Sequence, residues 1–133
     1  MSPVFIIALV LVTLFITFQI YVFVKSKKSV GNPIPFDTIN NEIANKIKDK
    51  KSLIYFYSPS CHNCKKQTPI IEKLKSEFQS IISVDISKDL ETARAFNIMG
   101  TPSILLLGTK TIEGVFVGVK NESFIREKLH ELT

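Results

Sequence analysis

From Val4 to Val24 the chain runs for 21 residues without a charged side chain. As a helix rising about 1.5 Å per residue this segment would be roughly 30 Å long, the thickness of the hydrocarbon core of a bilayer. Tyr21 suits the interfacial belt, and Lys25, Lys27 and Lys28 close the segment. A cleaved signal peptide would show a basic start, a shorter apolar core and a small-x-small cleavage site. No Lys or Arg precedes the run, and Tyr-Val-Phe-Val-Lys-Ser-Lys offers no such site. The hundred or so residues that follow could hardly bury so apolar a cylinder on every side. One uncleaved transmembrane anchor over residues 1–25 is therefore expected.

The remaining length accommodates one domain. Residues 26–35, Ser-Lys-Lys-Ser-Val-Gly-Asn-Pro-Ile-Pro, form the expected linker, because Gly31, Pro33 and Pro35 stop the first helix from continuing. The formal charge is +5, but without Lys25, Lys27 and Lys28 the balance is 14 basic against 12 acidic residues. No arginine-rich stripe with interleaved aromatics is present, so nucleic acid is not an expected partner. The three lysines are placed to meet anionic headgroups.

Within residues 36–133, Ile39, Ile43 and Ile47 mark an amphipathic helix capped by Asp37 or Thr38. Leu53–Tyr57 has the composition of a buried strand. Ser58-Pro59-Ser60 turns the chain, and a helical pattern with Ile70, Ile71, Leu74 and Phe78 on one face extends to about Gln79, with Pro69 expected to kink it. A strand at Ile81–Asp85 and a short helix at Leu90–Phe96 follow. Ser103–Leu107 and Val115–Val119 read as two strands of a hairpin turning at Gly108-Thr109-Lys110. Asn121 can cap a last helix bearing Phe124, Ile125 and Leu129. Alternating elements followed by a hairpin predict an α/β fold, a mixed sheet with helices on its faces.

The two cysteines of the chain are Cys61 and Cys64, at the junction of a strand and a helix. A sulfur at a helix N-terminus meets unpaired N–H groups and the positive end of the macrodipole, which favour the thiolate. Cys61 is the expected nucleophile. Cys64, one turn on, is the expected resolving thiol that displaces a bound substrate. Two cysteines and two histidines, with His130 at the far end, are a poor set for structural zinc, and no metal is expected. A purely structural disulfide across two residues closes almost no loop. The expected activity is thiol–disulfide exchange, with no cofactor beyond the dithiol itself and proteins bearing thiols or disulfides as partners. The upstream electron donor or acceptor is not legible. The alternative is a redox-inactive binding module at the membrane.

These residues resemble the thioredoxin family over 36–133. A strand feeds Cys-x-x-Cys, Pro69 stands five residues after Cys64, and Met99-Gly100-Thr101-Pro102 matches the family's cis-proline loop. The resemblance implies that Thr101 and Pro102 contact substrate, with substrate backbone pairing like an added strand, and that Gly118 lines the same groove. It also marks departures. Tyr55 stands where the family has a buried aspartate, Ile81 where it has that aspartate's lysine partner, and Ser60 where it has tryptophan. Losing both charges together leaves neither unpaired in the core. His62 and Asn63 occupy the positions between the cysteines. Either an imidazolium at His62 favours the Cys61 thiolate and makes the pair more oxidising, or His62 is a solvated residue of little effect. Lysines after the span place the domain on the cytosolic side, whereas anchored relatives more often face the oxidising side.

Overall fold

The computed structural model describes the backbone of all 133 residues and the side chains of all but Ser26 and Lys27. Lys27, the middle member of the juxtamembrane cluster, therefore lies outside the described side chains. Uncharged sequence over its first 22 residues gives one helix, α1 (Pro3–Lys27), with Pro3 in its first turn, where a missing N–H costs nothing. Its large apolar side chains are exposed along almost its whole length, and it is long and apolar enough to cross a membrane. Gly31, at φ +87°, turns the chain after it.

Helix α2 (Asn41–Ile47) starts later than the expected caps. Thr38 instead closes a turn onto the Pro35 carbonyl, and the Asn40 side chain accepts from the Glu42 N–H at 2.8 Å. Strand β1 (Ser52–Tyr57) leads to α3 (Cys64–Lys75), which holds Pro69 within it and ends before Gln79. The Ser76 hydroxyl donates to the Lys73 carbonyl at 2.6 Å and competes with the helical ladder. Strand β2 (Ile81–Asp85), α4 (Leu90–Ala95) and β3 (Ser103–Leu107) lie as expected. Strand β4 (Ile112–Val117) is shifted toward the hairpin. A Gly108 N–H to Thr111 carbonyl bond tightens the turn, and Gly118, at φ +93°, ends the strand before Val119. Asn121 caps α5 (Glu122–Leu132) through the Phe124 N–H.

The sheet order is β2-β1-β3-β4, with β1 parallel to β2 and the other neighbours antiparallel. Side-chain alternation divides the core. Ile54, Phe56, Leu105 and Leu107 face α2 and α4, while Leu53, Tyr55, Ile104 and Leu106 face α3 and α5. Every residue of β3 is buried, which explains its unbroken apolar sequence: both of its faces are covered. This is the thioredoxin-like fold, a mixed sheet between helices, preceded by one apolar helix.

Residues 31–34 are not free of the domain. Gly31 donates to the Ile112 carbonyl, Ile112 to the Asn32 carbonyl and Ile34 to the Lys110 carbonyl at 2.7, 2.9 and 3.0 Å. Ile34, 6% exposed, belongs to the core beside α2. The segment thus pairs with the end of the hairpin turn and with the first residue of β4, Ile112.

Candidate active site

At the end of β1 the chain turns through Ser58–Ser60. The Cys61 N–H donates to the Ser58 carbonyl, and the Ser58 and Ser60 hydroxyls lie 3.0 Å apart. Helix α3 begins at Cys64, so Cys61 stands one turn before the first helical residue and not on it. The cap residue Asn63 makes no side-chain capping bond. The sulfur does so instead: the Cys64 N–H points at Cys61 Sγ, 3.1 Å away. One of the orphan donors of the helix start is thereby aimed at the Cys61 sulfur, where it would favour negative charge.

Cys61 and Cys64 form a disulfide with their Cα atoms 5.2 Å apart. Cys61 is half-buried, whereas Cys64 is only 2% exposed. One sulfur can be reached from outside and its partner sits behind it. A cleft lined by Tyr57, Pro59, Lys65 and Thr68 opens beside the pair.

The Thr101 carbonyl oxygen lies 3.5 Å from Cys61 Sγ. A disulfide sulfur carries no proton, so this is a van der Waals approach; in the reduced protein the thiol can donate to it. The Thr101–Pro102 peptide bond is cis. The loop is braced by the Ser103 hydroxyl on the Gly100 carbonyl at 2.6 Å, and by the Gly118 N–H on the Pro102 carbonyl at 2.9 Å. Thr101, Pro102 and Gly118 are thus gathered at the end of the sheet that holds the sulfurs. His62 and Asn63 are exposed, and no described hydrogen bond joins their side chains to either sulfur.

Below the site, Tyr55 is buried among apolar side chains that include Ile81. Its hydroxyl pairs with Thr68 Oγ1 at 2.9 Å, and its ring stacks on Tyr57 at 5.5 Å. Burial pushes its phenol pKa up, against the opposing influence of the Thr68 bond. Gln67 escaped the sequence reading. It is fully buried, its amide donates to the Lys120 carbonyl at 3.2 Å, and its side-chain oxygen accepts from the Lys120 N–H at 2.7 Å. The pair of bonds ties α3 to the segment after Gly118. Its spacing of four from Ile71 and seven from Leu74 places a polar residue on the apolar stripe, and that was the available signal.

The family model for thioredoxin matches residues 35–131. This chain belongs to the thioredoxin family. A thioredoxin of Bacillus subtilis is 28% identical over 79 residues, covering 57% of this chain and 76% of that protein. The NADPH-dependent thioredoxin reductase 3 of Arabidopsis thaliana is 33% identical over 78 residues, and the chain spans only 15% of it. Among solved structures, the Fasciola hepatica thioredoxin superposes with a TM-score of 0.61 at 21% identity, covering 70% of this chain and 90% of that one. That structural likeness establishes the fold.

Proposed function

We propose that this member of the thioredoxin family is a membrane-anchored protein thiol–disulfide oxidoreductase, with residues 1–25 as anchor, 26–35 as a connection whose residues 31–34 also pair with the domain, and 36–133 as the redox domain. The observation that carries the reading is the asymmetry of the pair: Cys61 is accessible and receives the Cys64 N–H, while Cys64 is buried behind it. In the reduced protein the Cys61 thiolate attacks a substrate disulfide. A mixed disulfide forms and one substrate sulfur leaves as thiolate, taking up a proton. Cys64 loses its proton and attacks Cys61 Sγ, releasing the second substrate thiol and regenerating the Cys61–Cys64 bond. Two electrons and two protons pass from protein dithiol to substrate, and every step is reversible. Thr101 and Pro102 hold substrate backbone beside the sulfurs, with Gly118 keeping the groove open. His62 and Asn63, exposed next to the nucleophile, tune its charge.

The expected results in the full chain are specific. Cys61→Ser abolishes exchange, and Cys64→Ser accumulates substrate as a mixed disulfide on Cys61. Equilibration against glutathione gives the potential of the pair: about −270 mV marks a thioredoxin-type reductant, and a value above about −200 mV an oxidant or isomerase. Full biological activity in the Cys61→Ser chain would instead identify a binding module built on the Thr101–Pro102 groove.

A further inference from the structure

The path of the chain along β4 decides which way the domain faces. Gln19, Ile20 and Phe23 of α1 line a cleft with Met99, Gly100 and Val117, at the end of the sheet that carries the active site. A few residues later, Gly31 to Ile34 are hydrogen-bonded to Lys110 and Ile112, where β4 begins. The stretch from Phe23 to Gly31 therefore covers the length of β4, about 16 Å for a strand of this size. Near its C-terminus α1 runs away from the active-site end. Followed toward its N-terminus, it leaves the domain at that end, with Val4 to Phe18, about 22 Å of apolar helix, projecting past it.

The surface around that exit matches an interface. After α1, the large apolar side chains that stand exposed among the described residues are Val30, Leu90, Met99, Val117 and Val119. Met99, Val117 and Val119 flank the Thr101–Pro102 loop and Gly118, and Leu90 opens α4 at the same end of the sheet. Exposed Lys65 and Lys66 begin α3 beside the sulfurs. Asp85, the last residue of β2, and Asp89 and exposed Glu91 after it belong to this end as well, but they lie on the side of β2, the strand farthest from α1, and Asp85 and Asp89 are engaged with Ser87 and Thr92. An apolar rim flanked by lysines and continuous with a membrane-length helix suits the headgroup–acyl boundary of an anionic bilayer.

We propose that the active-site end of the domain rests on the bilayer interface, with Met99 and Val117 in contact with lipid. The Cys61–Cys64 pair then serves cysteines of other membrane proteins that lie at that surface. Cys61 is 3.5 Å from Thr101, and Thr101 adjoins Gly100 in the α1 cleft, so the reacting sulfur stays close to the plane where the anchor emerges. This inference rests on the anchored-oxidoreductase reading above and adds orientation and substrate class to it.

The chain contains no tryptophan, so a single introduced one is an unambiguous reporter. Full-length Met99→Trp, Val117→Trp and Lys50→Trp chains, the last marking the opposite end of the sheet, are placed in vesicles of phosphatidylcholine and phosphatidylglycerol. Some of the lipid carries a nitroxide near the headgroup. Formation of the Cys61–Cys64 disulfide confirms folding of each variant. The expected result is severalfold stronger quenching and bluer emission for Met99→Trp and Val117→Trp than for Lys50→Trp. Equal quenching in chains that float with the vesicles overturns the orientation and leaves the anchor standing; chains that fail to float at high salt overturn both. A lipid-anchored disulfide peptide on a short spacer should exchange faster than the same peptide on a long one. Equal or slower exchange overturns the substrate class while leaving the redox reading intact.

Discussion

The sulfur of Cys61 takes the place of a capping oxygen, and that substitution shapes the chemistry of its surroundings. The N–H of Cys64, an orphan donor at the first helical residue, points at that sulfur. Earlier in the chain, on β1, Tyr55 fills the position where the family carries an aspartate, and the position of that aspartate's lysine is filled by buried Ile81. Neither change leaves an uncompensated charge. Tyr55→Phe should lower stability by about 1 kcal/mol through the lost Thr68 bond. It should also alter the alkaline limb. Because burial raises the Tyr55 pKa above its ordinary 10.0, the unfolded chain gives up this proton first as pH rises. Its contribution is therefore complete below about pH 10 and lost above it. Urea unfolding in micelles from pH 8 to 11 should show a fall that Tyr55→Phe lessens. The pairing of Cys61 with Cys64 was legible from their spacing, whereas the placement of Thr101 and Pro102 beside the sulfur came from the family resemblance. Gln67 was not legible, because its partner is the backbone of Lys120, and no side-chain pattern records a backbone partner.

Elements end where local hydrogen bonds outcompete periodicity. The apolar stripe of α3 continues to Phe78, which still packs in the core, yet the helix stops when Ser76 turns back on Lys73. The cap of α2 moved to Asn40 for a related reason, since the turn at Pro35–Thr38 had already claimed Thr38. Such contests between neighbouring donors decide boundaries and leave the hydrophobic pattern untouched. Helices α3 and α5 are also joined by charge. Arg126 pairs with Glu77 and Glu122, and Lys73 with Glu122. These partners hold both carboxyls below the usual 4.5, the hydrogen bonds from Arg126 being the largest influence. The linkage stabilises the fold above the unfolded carboxyl value and is lost as pH falls through the lowered folded ones. Arg126→Gln should therefore lower the urea midpoint slightly at pH 7 and not at pH 3, so that its decline between about pH 5 and pH 3 is flatter, the whole effect being small for exposed pairs.

At the scale of the whole molecule, the alternating order of elements and the apolar runs were enough to predict a mixed sheet between two helical layers. Both layers appear, with α2 and α4 on one face and α3 and α5 on the other. The role of residues 31–34 was hidden. Gly31, Pro33 and Pro35 have the composition of a connection, but three backbone bonds to Lys110 and Ile112 make the segment part of the domain. Pairing between segments so far apart in sequence has no periodic signature. Ile34→Ala should cost about 2–4 kcal/mol, measured as a lowered midpoint of urea unfolding, whereas an exposed linker residue would cost almost nothing.

Copies of one chain confined to the plane of a membrane meet at high local concentration, and there an uncovered strand recruits its neighbour. Strand β4 is covered at its two ends: Gly31 to Ile34 bond to its first residue, Ile112, and to the turn before it, and α1 lies beside its last residue, Val117. On the proposed anchoring, the same residues leave on β4 only the stretch between Ile112 and Val117 open, with β2 as the other edge on the far side of the sheet, so crowding in the plane meets a shortened edge where lateral aggregation would otherwise begin.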